Sequence, residues 1–376
     1  MTCFLAIGFG FIVQAKETSL NVVTTDPKQE FSKIIYKEFN ISEYGSVQLI
    51  NKYGKVDART WDGSQVKIKV SIIANANGQK EAEKTFNRIS INFYNDPNFV
   101  KAETIIGQES GSWMSWSWNG SKNADFQINY EVYYPRGGFL DLSNRYGDSF
   151  VGYTNGAVKA NIKYGNLRCE EINNKFDLNL QYGDAYASNV KKETNANIDY
   201  GKLIMKSTDK ANLDGDYSEF EVENVNDVNI KSDYSTLRGT KIGNLTVDMD
   251  YGHLKMREVG NINFKGDYTD ISINFLSNFA SVDMDYGGLT VDKVGKNFSE
   301  FRVDANYTDI KVGTEDGCAY RLDAESNYGD IKYPSGMNLT YEKDGNTSER
   351  IEGFFGSKNA KGLMKVNVSY GGIKIR

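Results

Sequence analysis

Through the second half of this chain, apolar residues recur at alternate positions and then slip by one, again and again. Leading into Tyr164 they stand at Val158, Ala160 and Ile162, and leading into Tyr251 at Leu245, Val247 and Met249. A period of two marks a strand with one buried face. After each tyrosine the next apolar residue comes at +3 instead of +2, as at Leu167, Leu203, Phe220, Leu237, Leu254, Ile271, Leu289, Ile310 and Ile331. Others follow at +5 (Met205, Val222, Met256, Ile273, Val291) and at +8 (Ile172, Val225, Val259, Val294). The slip predicts a corner at each tyrosine with a short strand on either side.

The tyrosines are Tyr146, Tyr164, Tyr182, Tyr200, Tyr217, Tyr234, Tyr251, Tyr268, Tyr286, Tyr307, Tyr328 and Tyr370, each followed by Gly, Ser or Thr. They lie 17, 18 or 21 residues apart as far as Tyr328, and the last interval of 42 reads as two laps with an insertion. Laps of this length with fixed corners predict an all-β fold, a right-handed parallel β-helix or solenoid of 17–21-residue coils. Alternation sets each tyrosine in phase with the apolar residues before it. The rings are therefore expected inside, as a structural ladder stacked at the strand spacing of ~4.8 Å, with corner backbone satisfying each phenol oxygen. The glycine that follows reads as the left-handed corner residue.

Ahead of this array the pattern changes. Lys33 to Phe39, Ser46 to Ile50, Gln65 to Ile73, Ile89 to Phe93, Val100 to Ile106 and Phe126 to Tyr134 read as strands, and Lys80 to Arg88 as a short helix. Tyr53-Gly54 already carries the corner signature. Residues 31–138 are thus expected to form a β-rich N-terminal cap with the first coils, and 139–376 the repetitive solenoid with an insertion near 334–360. The apolar run from Cys3 to Val13, ending in Val13-Gln14-Ala15, reads as a signal peptide over 1–15, followed by a flexible segment over 16–30. Export to the periplasm, the cell surface or the medium follows, with no transmembrane span after cleavage.

The segments NKYGKVDARTW, VKIKV before the short helix, INYEVYYPRGGFLDLSNRYGD and the YG coils after them resemble a broad bacterial family of putative adhesins of unknown function. The latter half is similar to the β-helical head domains of autotransporter-like adhesins. The resemblance implies a β-solenoid and an adhesive or scaffolding role, with a surface protein or glycan as partner. It supplies no catalytic residue.

Composition narrows the chemistry. With 44 Lys+Arg against 50 Asp+Glu and a pI near 5.2, the chain is poorly suited to nucleic acid. One histidine, His253, and three cysteines, Cys3, Cys169 and Cys318, leave no zinc motif or disulfide framework. His253 falls at an outward corner position and Cys169 at an inward one. Asp199, Asp216, Asp233, Asp250, Asp267 and Asp285 stand just before successive tyrosines, facing outward. Stacked carboxylates repel, so this row reads either as a solvated face eased by Lys231 and Lys265 or as an oxygen-rich strip for Ca²⁺, the one cofactor the sequence raises. Trp113, Met114, Trp116 and Trp118 form a second candidate, an aromatic platform for a ligand. A polysaccharide-cleaving enzyme of the parallel β-helix type is the competing class, by fold analogy alone.

Overall fold

The computed structural model describes residues 28–107 and 125–376. The expected signal peptide and the Trp113–Trp118 platform lie outside the described residues. The described chain is nearly all strand, in one continuous ladder of mostly parallel pairings. Each lap lays one stretch on either side of a tyrosine corner, and both stretches pair with their counterparts one lap away. Phe176–Val190, for example, pairs in parallel with Glu193–Asp214 before the corner (Leu178 with Ala196) and after it (Ala185 with Leu203). The chain is a β-solenoid.

The inward rows are those the apolar pattern marks. Val158, Ala160 and Ile162 before one corner, Leu167 at +3, Cys169 at +5 and Ile172 at +8 are all at most 2% exposed. Covering a Val, Leu or Ile side chain contributes about 1.5–3 kcal/mol, and each lap adds several such residues to one continuous core.

Both ends of the stack are closed by antiparallel ribbons. At the N-terminal end Gln29–Asn40 pairs with Gln65–Ala76, which pairs with Phe126–Pro135, while Ile89–Asp96 pairs with Phe99–Ile106. Ser46–Lys52 and Val56–Trp61 form the first coil around Tyr53, joined in parallel to Phe139–Arg145 and Ser149–Val151. The one helix among the described residues, Gln79–Arg88, buries Ala82 against the ribbon.

The far end departs from the expected order. The coil of Tyr370 does not follow that of Tyr328 in space. Gly362–Ser369 is inserted between Glu300–Thr314 and Tyr320–Asn327, in parallel with both. The reason lies in the insertion. Asn338–Asp344 and Ser348–Phe355 make a hairpin that pairs antiparallel with the outer edge of Tyr320–Asn327, so the returning chain is taken up on the inner side.

Candidate functional site

Each corner is made by the tyrosine itself. Tyr53 and the twelve repeat tyrosines have φ between 51° and 60°, and among the described residues no other non-glycine residue has positive φ. In that left-handed conformation the side chain swings to the outside. Twelve of the thirteen rings are 42–59% exposed, and Tyr53 is half-buried. The expectation of an internal ladder is therefore corrected. Positions −1 and 0 both point out, and the small residue at +1 points in, which produces the slip of one in the apolar pattern.

Where glycine follows the tyrosine, it is needed for space, not for a left-handed backbone. A Cβ on Gly147 would lie 1.9 Å from the carbonyl oxygen of Gly54, and one on Gly165 would lie 2.2 Å from that of Gly147. Where the position is Ser or Thr, the hydroxyl staples the corner. Ser218 Oγ donates to the carbonyl of Ile198 at 2.8 Å, and Thr269 Oγ1 to that of Met249 at 3.1 Å.

Outside, the rings form one column. Neighbouring centroids are 4.7–5.1 Å apart and the planes lie within 10° of parallel, from Tyr53 through Tyr307 to Tyr370 and then Tyr328. At about one strand spacing per lap, the column is roughly 59 Å long. A left-handed conformation costs a residue with a side chain about 1–2 kcal/mol, and an offset-stacked aromatic pair contributes about 0.5–1.5 kcal/mol beyond the area it covers. The two terms are of similar size. Glycine or asparagine makes such a corner with less strain, in a chain that carries 36 Gly.

This balance makes Tyr217 diagnostic. Tyr217→Ala is expected to be less stable than Tyr217→Gly by ~1 kcal/mol in chemical denaturation, the reverse of the usual preference within strands. Equal stabilities would show that the corner is not strained.

The polar groups around the column divide into used and free. Asn195, Asn212 and Asn229 pass amide hydrogen bonds along the stack, Asn195 to Asp177 at 2.7 Å, Asn212 to Asn195 at 2.8 Å and Asn229 to Asn212 at 3.0 Å. In the aspartate row, Asp216, Asp233, Asp250 and Asp267 each use Oδ1 to accept the backbone N–H of the next aspartate, at 2.7–3.2 Å. Lys231 and Lys265 form no ion pair with this row among the described residues; backbone N–H groups, which lie in register one lap on, take their place. Among the described residues no three His, Cys, Asp or Glu side chains stand close enough to hold a metal ion. The phenol oxygens of the column, in contrast, have no protein hydrogen-bond partner among the described residues, because an outward ring carries its hydroxyl away from the corner backbone. Desolvation, then the phenols of Tyr234 and Tyr268 and the carboxylates of Asp250 and Asp267, push the Tyr251 phenol above its ordinary value.

His253 is exposed beside Asp270, with Nδ1 3.6 Å from the carboxylate. Cys169 and Cys318 are buried free thiols, pushed up chiefly by burial. Near the C-terminal end a groove of about 430 Å³ gathers Asp304, Asp323, Glu325 and Lys365, and Arg350 pairs there with Asp323 at 3.2 Å and Glu325 at 3.5 Å. No helix among the described residues is long and apolar enough to cross a membrane.

No family model and no curated protein matches the chain. Among solved structures it is similar to a putative cell adhesion protein from Clostridium sporogenes, at 13% identity over 92% of this chain and 99% of that one, with a TM-score of 0.18. It is also similar to a putative adhesin from Bacteroides fragilis, at 8% identity over 92% and 97% of the two chains, with a TM-score of 0.21.

Proposed function

We propose that the chain is an exported, non-enzymatic binding module that makes contact with its partner through the tyrosine column. The observation that carries this reading is the set of thirteen tyrosines held at positive φ with exposed edges and free hydroxyls. Backbone outliers concentrate where function needs them, and here the outlier recurs at every corner with one residue type. Exposed aromatic surface with polar tips is the composition of contact surfaces, apolar enough to shed water and polar enough to orient a partner. Adhesion, which the sequence resemblance implies, is one use of such a surface.

The test replaces rings without disturbing corners. A Tyr217→Gly/Tyr234→Gly/Tyr251→Gly variant keeps the left-handed backbone and removes three adjacent rings. Labelled wild-type protein is expected to bind a glycan array or whole bacterial cells at least ~10-fold better than this variant, with both folded by circular dichroism. Equal binding by the folded variant would remove the column from the contact.

A further inference from the structure

We infer that the partner of the column is a second copy of this chain, docked column to column, antiparallel and in one staggered register. The inference rests on the reading of the column as a contact surface and names what it contacts. It comes from charge. The residues just before the corner tyrosines, taken in spatial order from the N-terminal end, are Lys52, Arg145, Lys163 and Gln181, then the six aspartates, then uncharged residues. One flank of the column is thus positive over three coils, neutral at Gln181, and negative over the six that follow. Among the described residues none of the three cations has an ion-pair partner; Arg145 and Lys163 instead lie over the rings of Tyr146 and Tyr164, at 5.8 and 5.6 Å. Asp216, Asp233 and Asp250 are likewise outside any ion pair and commit only Oδ1 to a backbone N–H.

A two-fold axis lying across the column, in the plane between the copies, reverses its direction while keeping this flank opposite itself. With the axis between Tyr182 and Tyr200, Lys52 faces Asp250, Arg145 faces Asp233, Lys163 faces Asp216 and Gln181 faces Asp199, each pairing made twice. On the other flank the same operation sets Asp184 opposite Lys202, Asp148 opposite Thr236, Asn166 opposite Glu219, and Lys55 opposite His253. No two carboxylates meet on either side.

Two simpler arrangements fail on charge. Full antiparallel overlap puts the axis at Tyr234, with Asp216 facing Asp250 and Asp233 facing its own copy. A parallel pairing opposes Asp216 to Glu219, Asp267 to Asp270 and Lys52 to Lys55. Like charges held opposite each other are strongly disfavoured, which counts against both. An axis between Tyr164 and Tyr182 also opposes no like charges but overlaps six rings per copy, whereas the axis between Tyr182 and Tyr200 overlaps eight and covers more area. Its size is adequate. Eight tyrosines per copy, seven of them about half exposed, offer up to roughly 800 Å² per partner, the area of a standard interface.

The experiment is sedimentation velocity of the full chain across concentration and salt, with complementary charge reversals. Wild-type protein is expected to dimerise and to dissociate as salt rises. Lys52→Glu/Arg145→Glu/Lys163→Glu and Asp216→Lys/Asp233→Lys/Asp250→Lys are each expected to self-associate at least ~100-fold more weakly, and an equimolar mixture of the two to recover the dimer. The lysine variant gives up three capping carboxylates; should it fail to fold, Arg145→Glu/Lys163→Glu, which leaves them in place, decides alone by losing or keeping the dimer. A wild-type chain that stays monomeric, reversals that dimerise like wild type, or two folded triple variants that do not recover the dimer on mixing would each overturn the inference. If dimerisation fails while the triple tyrosine variant still loses binding to glycans or cells, the column remains a contact surface with another partner. Unchanged binding and unchanged self-association by that variant together sink the contact reading itself.

Discussion

Gly147→Ala is expected to destabilise the protein by more than ~3 kcal/mol, although it adds a single methyl at the surface of the coil stack. The new Cβ would stand 1.9 Å from the carbonyl oxygen of Gly54 and 2.6 Å from its carbonyl carbon, all main chain of the coil next to it. No rotamer change relieves a clash between two backbones, so the coils must separate at the corner and lose the pairing on both sides of it. Gly288→Ala is the control. It lies only two positions after a corner tyrosine, and its added methyl would meet only Asp270 Oδ1 at 3.3 Å, the end of a mobile side chain. Its cost is expected to stay within ~0.5 kcal/mol. Guanidinium denaturation of both variants checks the contrast; similar midpoints would mean that the corners tolerate a wider spacing than the stack shows.

Alkali is the second strong perturbation. Burial pushes the phenols of Tyr130, Tyr134 and Tyr320 well above their ordinary value. Tyr130 retains a hydrogen bond with Thr104 at 2.9 Å, whereas the hydroxyls of Tyr134 and Tyr320 are buried without a partner. These groups hold their protons in the folded chain and release them near pH 10 once unfolded. Above that pH the unfolded state binds fewer protons than the native state, so stability falls as pH rises. Below pH 10 their contribution is fully present. The fold is expected to open in the alkaline range, with part of the tyrosinate absorbance appearing in step with loss of the β-sheet circular dichroism signal. Complete tyrosine ionisation with the sheet signal intact would show that these phenols reach solvent.

How much of this was legible in the residues depends on which forces are local. The inward rows were readable because burial of Val158, Ile162, Leu167 or Leu254 follows a period that the backbone imposes on any strand. The site of the corner was not. A slip from +2 to +3 fits a turn made at the tyrosine as well as one made at the glycine after it, and the two choices send the ring to opposite sides. A clue existed in Ser218, Ser235, Thr269 and Thr308, which alternate with glycine at +1. Residues with a Cβ seldom take a left-handed conformation, so their presence there marks a limit on size.

Chain order alone therefore set the lap length, the buried rows, the outward aspartates and the solenoid, since each depends on contacts that repeat at a fixed interval. Packing in three dimensions decided the rest. Tyr370 slots between Tyr307 and Tyr328 because the hairpin that precedes it in the chain occupies the outer edge, and no local signal encodes which edge stays open. The rings face solvent because neighbouring coils approach closely enough at the corner to admit only glycine, serine or threonine at the next position, leaving the tyrosine to turn the chain.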